Sequence, residues 1–137
     1  MINLKKLFKI ILLVLFIVVL ISAGAFFYMS RGLDKGKNLS IENVDLSEIK
    51  DGKYRGEFKS GRFSNIIEVK VEDHKITEIN LVDDIMVAQD DVTHKLFNRI
   101  IDNQNINVDV ISGATVSCNS YLKAIENALK QKWLVYC

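Results

Sequence analysis

Apolar residues run unbroken by charge over residues 10–29 (IILLVLFIVVLISAGAFFYM), and only later does the chain settle into alternating and helical periods. A helix of this length, rising ~1.5 Å per residue, crosses the ~30 Å hydrocarbon core of a bilayer, so the run predicts one transmembrane helix. Phe26, Phe27 and Tyr28 fall where an interfacial aromatic belt lies. Lys5, Lys6 and Lys9 precede the run, and Arg31, Lys35 and Lys37 follow it. That tie leaves the free amino terminus and Asp34 to tip the N-terminus towards the cytoplasm. The competing reading is a cleaved signal peptide, for which Ala23-Gly24-Ala25 has the small-x-small form. The run is longer than the ~7–15 residues of a signal-peptide core, so an uncleaved single-pass anchor is expected. Both readings export the domain that follows. The expected divisions are 1–9 as a cytoplasmic N-terminus, 10–29 as the anchor, 30–44 as a linker and 45–137 as one domain.

After the polar stretch 30–37, Ile41, Val44, Leu46 and Ile49 give a short apolar pattern placed to dock on a domain edge. Asp51-Gly52 reads as a turn, and Tyr54, Gly56 and Phe58 alternate as a strand weakened at the glycine. A second turn at Ser60-Gly61 leads to Ile67, Val69 and Val71, which alternate with charged residues. Asp73-His74 reads as a tight turn. Thr77, Ile79 and Leu81 continue into a third strand and complete a β-meander. The period then lengthens. Val92, Leu96 and Ile100, with Phe97 and Ile101 beside them, predict a helix capped by Asp90 or Asp91. Ile106, Val108 and Val110 predict one more short strand before Ser112-Gly113. Leu122, Ile125 and Leu129, adjoined by Tyr121, Ala124 and Ala128, predict a final helix. The expected class is α+β, a small antiparallel sheet with helices packed on one face, preceded by one N-terminal transmembrane helix.

A chain of 137 residues has room for one modest domain and excludes separate cofactor and substrate lobes. The net charge of +1 hides a division. Residues 1–37 carry six Lys/Arg against one acid, whereas 38–137 carry twelve against sixteen. A mildly acidic domain is the reverse of what a phosphate-backbone binder needs, which argues against nucleic acid as a partner. Two cysteines, with no CxxC or Cys/His cluster, provide neither a disulfide framework nor a zinc site, and no metal is expected.

The chemistry concentrates in Asp109-Val110-Ile111-Ser112-Gly113-Ala114-Thr115. Here a short strand is expected to end, a glycine bends the chain and a helix begins. Small side chains at Ser112, Gly113 and Ala114 leave the backbone accessible, and free N–H groups at a helix start bind anions, phosphate above all. The hydroxyls of Ser112, Thr115 and Ser117 are available to cap the helix or to bond such an anion. An ordinary capped turn accounts for the same residues, so spacing alone leaves both readings open.

Three segments, taken in order, resemble one family. Residues 44–58 (VDLSEIKDGKYRGEF) are similar to its opening strand, in which DG-x-Y-x-G recurs. Residues 67–82 (IEVKVEDHKITEINLV) are similar to its hairpin. Residues 108–129 (VDVISGATVSCNSYLKAIENAL) are similar to its flavinylation segment, D-x-x-S-G-A-T and the helix after it. The family is the FMN-binding domain of the covalent-flavin subunits of the sodium-translocating NADH:quinone reductase and the Rnf complex, found also in small membrane-anchored relatives.

The resemblance implies FMN joined to Thr115 through a phosphoester bond. It implies that Asp109 is the acid used when a flavin transferase, with magnesium, moves FMN from FAD to that hydroxyl. Ser112, Gly113 and Ala114 match the recognition turn, and Val116 and Ser117 complete the cofactor-binding segment. A threonine hydroxyl is a weak nucleophile unaided, which fits the need for a separate enzyme and metal. The implied protein is an electron-transfer flavoprotein without an autonomous catalytic site. It would sit on the outer side of a bacterial cytoplasmic membrane, between a donor and an acceptor that no motif encodes, alone or within a redox complex. The rival expectation is a membrane-tethered binding or assembly module with no flavin, or with non-covalent FMN.

The chain departs from that pattern at three places. The hairpin turn is Asp73-His74 where relatives have Asp-Gly, Val116-Ser117-Cys118 follows the acceptor where x-T-S is common, and 83–91 lacks a Pro-Gly loop. Cys118 is expected as a small buried filler, not a redox thiol. His74 and His94 lack partners at ligand spacing and are expected in solvated roles. Asp83-Asp84 and Asp90-Asp91 are read as strand-end and helix-cap charge. Trp133 and Tyr136 are expected to close the core, and Cys137 to be frayed and exposed.

Overall fold

The computed structural model describes residues 3–31 and 33–131, which fall into two units, Met1–Arg31 and Gly32–Cys137. Trp133, Tyr136 and Cys137 lie outside the described residues.

The first unit is a single helix, α1 (Leu4–Ser30), whose 27 residues include none that is buried. The Asn3 side chain accepts the Lys5 N–H at its start. The hydroxyls of Ser22 and Ser30 donate to the carbonyls of Val18 and Phe26 at 2.7 and 2.8 Å, so neither depends on water within the helix. By length and composition α1 is able to cross a membrane.

In the second unit, three strands form an antiparallel sheet in the order β1 (Gly52–Phe58), β2 (Asn65–Glu72), β3 (Lys75–Asp83). Two helices accompany it, α3 (Asp90–Asn103) and α4 (Thr115–Lys130), and together these elements make the expected α+β fold. Ile67, Val69 and Val71 of β2 are fully buried beneath α4, which covers β1 and β2, while α3 packs beside β3. The stripe expected on the last helix is the one that buries: Tyr121, Leu122, Ala124, Ile125, Ala128 and Leu129 all enter the core. Tyr121 meets Phe97 of α3 edge to face, with ring centroids 5.9 Å apart, which joins the two helices.

The Asp73-His74 turn is a two-residue hairpin with φ of 50° and 59°, the left-handed pair that matches strand twist. The His74 ring is not merely solvated. Its Nδ1 lies 2.9 Å from the Ile49 carbonyl, which ties the turn to the segment leading into β1.

Three expected details are corrected. Thr77 does not share the inward face of β3. The register slips between Lys70 and Val71, so Ile76 takes the buried place and Thr77 is exposed at a bulge. The residues expected to form a strand around Ile106, Val108 and Val110 bury in alternation but pair with no strand. The Gln104 side chain occupies the backbone of β3 instead, accepting from Ile76 N at 2.8 Å and donating to Ile76 O at 2.9 Å. Finally, Gln89 occupies the N-cap of α3, and Asp90 and Asp91 lie in its first turn. There they complement the helix dipole without capping.

Ahead of the sheet, Leu33–Lys37 forms a short helix, α2, within the segment expected as a linker. It seats against α4: Asn119 Nδ2 donates to the Gly36 carbonyl at 2.9 Å, and a Cβ at Gly36 would stand 2.3 Å from Val116 Cγ1. Further along, Ile41, Val44 and Leu46 pack on the core margin as expected, and Ile49 is buried. The segment is fastened at Glu42 by Glu126, a carboxylate only 1% exposed, and at the Ser40 carbonyl by Lys123. The Glu126 oxygens accept from Lys130 at 2.7 Å, from Lys123 at 3.0 Å and from the Glu42 amide at 3.2 Å; Lys130 also pairs with Glu42.

Candidate functional site

Between α3 and α4 the chain runs through Val108, Asp109 and Val110 without helix or strand, then turns. Ala114 N–H donates to the Ile111 carbonyl at 3.0 Å, closing a β-turn whose third residue, Gly113, has φ +83°. That is the type II requirement, and a side chain at this φ would be strained even though open space surrounds the Cβ position. The turn delivers the chain into α4 with Thr115 as its first helical residue.

The resulting helix start is unusual in its bonding. Ala114 stands at the N-cap and has no side chain able to accept a hydrogen bond, and the first turn contains no acid. The first backbone bond within the helix runs from Cys118 N–H to the Ala114 carbonyl at 2.9 Å. The N–H groups of Thr115, Val116 and Ser117 therefore precede the ladder and have no partner among the described residues. Ser112, Gly113 and Thr115 are exposed, and neither the Ser112 nor the Thr115 hydroxyl makes a hydrogen bond among those residues. Val116 and Ser117 are half-buried, and the Ser117 carbonyl accepts the Ser120 hydroxyl at 2.7 Å. Six of the seven expected site residues, 112–117, thus lie along one turn and helix start, but Ala114 is turned into the core, leaving Ser112, Gly113 and Thr115 on the surface. A hydroxyl on that surface stands beside three unclaimed donors, a set whose chemistry suits a phosphate ester.

Asp109 sits three residues upstream of the turn, exposed, with no partner for its carboxylate among the described residues. Its backbone carbonyl is held by Arg99 Nη1 of α3 at 2.9 Å. Arg99, Asn103, Asn107, Asp109 and Ser112 line an open groove of ≈ 780 Å³ that begins at the turn. Another groove, ≈ 490 Å³ along β1, contains none of the motif residues, and its Lys53 pairs with Glu68 at 3.3 Å.

Sequence reasoning did not find Arg99 or the asparagines. They belong to a different helix or to the connection after it, and only tertiary packing brings them to the motif. Asp84 also has a more definite role than strand-end charge, because its Oδ1 accepts from the buried Tyr121 hydroxyl at 2.5 Å. Burial, reinforced by that carboxylate, raises the Tyr121 pKa well above the usual phenol range. Cys118 is fully buried behind the turn, and burial raises its thiol pKa, which suits a packed filler and not a reactive thiolate. No group of three or more His, Cys, Asp or Glu able to hold a metal gathers among the described residues.

These features define a class: a small α+β domain whose last helix begins without a side-chain cap at Thr115, in a chain that also has, as a separate unit, a helix able by length and composition to cross a membrane. The family follows from comparison. The model of the FMN-binding domain matches residues 32–130, and the chain belongs to that family. It is a flavin-binding protein. The matched region starts at Gly32 and so takes in α2 as well as the sheet and the helix carrying Thr115. A search of curated proteins finds no match.

Proposed function

We propose that Thr115 carries FMN through a phosphoester bond, and that the protein is a membrane-anchored electron carrier facing the outside of a bacterial cytoplasmic membrane. The observation that carries this reading is the helix start itself, an exposed threonine hydroxyl at the first position of a helix whose leading N–H groups have no partner. In the attachment step, Thr115 Oγ1 bonds to the flavin-side phosphorus of FAD as the pyrophosphate bond breaks. The hydroxyl proton is lost and AMP departs. A flavin transferase and its magnesium ion supply the activation, since no side chain among the described residues hydrogen-bonds the Thr115 hydroxyl. Asp109, with its carboxylate exposed and unpaired, is open to that enzyme. The Thr115, Val116 and Ser117 N–H groups would hold the phosphodiester, at a helix start where the dipole favours negative charge. The flavin supplies the redox chemistry; the chain supplies attachment, position and, through α1, the membrane. Electrons would pass between membrane redox partners.

Intact-mass spectrometry of the full chain, co-expressed with a flavin transferase, tests the assignment. The unaltered protein is expected to gain the mass of FMN less one water and to give an ultraviolet-fluorescent band on a denaturing gel. Thr115→Ala is expected to lose both. A fluorescent band that persists in Thr115→Ala defeats the site assignment, and an unaltered chain of unmodified mass defeats covalent attachment altogether.

A further inference from the structure

The groove that starts at the turn is the part of the molecule that the attachment reading leaves without a role. Ser112 at its mouth is three residues from Thr115, so their Cα atoms are no more than about 11 Å apart. Its ≈ 780 Å³ lies within the size range of small-molecule sites. The donors and acceptors along it are mostly uncommitted. The Asn107 side-chain amide and the Ser112 hydroxyl have no partner among the described residues. Arg99 commits one N–H to the Asp109 carbonyl, which fixes the guanidinium in place and leaves its other donors available. Asn103 Nδ2 donates to the Arg99 carbonyl at 2.7 Å, leaving the amide oxygen to accept.

A flavin ring has a pyrimidine edge with two carbonyl acceptors and one N–H donor, on a chain of hydroxyls. Carboxamides that both donate and accept, beside one oriented cation, complement that edge. We propose that this groove seats the ring of the flavin carried on Thr115, with Arg99 and Asn107 facing its pyrimidine edge. The inference rests on the covalent reading and extends it from the point of attachment to the seat of the ring. Arg99 is then a positioning cation. Two-electron reduction by an external electron donor, with uptake of one proton, would leave one negative charge on the ring, which Arg99 favours and the Asp109 carboxylate lining the same groove opposes.

The test uses the full chain, flavinylated by co-expression with a transferase, with loading of every variant established by intact mass. In equally loaded proteins, Arg99→Gln is expected to shift the oxidised-to-reduced ratio at fixed potential at least tenfold towards oxidised. That is a fall of about 30 mV in the midpoint of a two-electron couple. Arg99→Lys, which keeps the charge, is expected to restore most of it. Asn107→Ala, which removes no backbone contact, is expected to lower the fluorescence anisotropy of the attached flavin as the ring gains freedom. Lys53→Gln, outside the groove, is expected to change neither. If Arg99→Gln fails to load because it releases the Asp109 carbonyl, Asn107→Ala alone decides. Loaded variants with unaltered midpoint and anisotropy overturn the groove as the seat of the ring and leave attachment standing. An unaltered chain that carries no flavin overturns both.

Discussion

Gly56→Ala isolates the closest approach in the domain, where β1 meets α4. A Cβ at residue 56 would stand 2.0 Å from the Ala124 carbonyl oxygen, 2.4 Å from Ala128 N and 2.8 Å from Ala128 Cβ. None of these is the end of a flexible side chain, so nothing local can rotate away. The helix must lift by roughly 1 Å or more, and a gap of that size forfeits a quarter to a half of the dispersion energy of the contacts it opens. Those contacts join α4 to β1 and β2, whose Tyr54 and Ile67 lie in the same core as Leu122, Ile125 and Leu129. Overpacking of a tight core costs about 1–3 kcal/mol, and opposition by helix backbone puts this case at the upper end. Alanine in a strand interior would otherwise be worth about 0.5–1 kcal/mol over glycine. The net expectation is a loss of about 2 kcal/mol.

For a domain of this size that corresponds to a fall in Tm of about 8–16 °C, at about 4–8 °C per kcal/mol. Thermal unfolding of the full chain in detergent micelles, followed by near-ultraviolet circular dichroism from the buried Tyr54 and Tyr121, reads it directly. Lys53→Ala, at an exposed neighbouring position, should stay within about 0.5 kcal/mol of the unaltered protein. The sign is decisive. A Gly56→Ala protein with an unchanged or higher Tm would show that β1 and α4 do not meet backbone to backbone.

Glu126→Ala is expected to cost about 2–3 kcal/mol by denaturant titration, less than the ~3–5 for a fully enclosed pair because Lys123 and Lys130 remain part-exposed. Burial raises the Glu126 pKa, but hydrogen bonds from Lys130, Lys123 and the Glu42 amide outweigh it and hold the carboxyl below its ordinary range. The folded protein therefore binds fewer protons there than the unfolded chain does. The stability it contributes is present above the ordinary glutamate range and is lost as pH falls through that range to the lowered folded value. Glu126→Gln should flatten this acid limb of the stability–pH curve, and an unchanged limb would remove Glu126 as its cause.

How far the sequence exposed this architecture depends on whether each feature is local. The helix stripes through Leu96 and Ile100, and through Leu122, Ile125 and Leu129, are direct consequences of a 3.6-residue period on a one-sided core, and they could be read in advance. The bulge at Thr77 could not, because it depends on the pairing between Lys70, Val71 and Ile76. The strand expected at Ile106 had the right alternation, yet alternation reports burial and not pairing. The backbone of Ile76 was taken by Gln104, whose left-handed conformation at the end of α3 aims its amide there. Asp109 and residues 112–117 could be put forward as candidates from the sequence because they fall in one short segment. Arg99 could not, because its link to the motif is one hydrogen bond between elements. Glu126 was overlooked for a related reason: an acid inside an apolar stripe reads as surface until Lys123, Lys130 and Glu42 are placed around it.

The helix starts of this chain differ in a way that makes attachment measurable as stability. Asn3 caps α1 with its side chain, Asp45 does the same for the 3-10 turn Leu46–Glu48, and α3 has two acids in its first turn. Among the α-helices α1, α3 and α4, only α4 begins with neither a side-chain cap nor an acid, a deficit of about 0.5–2 kcal/mol against a capped helix. On the covalent reading, a phosphodiester at Thr115 answers the same orphan donors that a cap would. The flavinylated protein should then be more stable than the unmodified one by about 0.3–1 kcal/mol, a rise in Tm of roughly 1–8 °C. Because the gain is electrostatic and near the surface, it should narrow as salt rises from 0.1 to about 1 M, where the screening length falls from ~10 to ~3 Å. Ring packing in the groove would also raise Tm, but that contribution should survive salt, so the salt dependence separates the two. Equal melting temperatures for loaded and unloaded chains at low salt would mean that the phosphate does not lie against the start of α4, whatever the mass spectrum records.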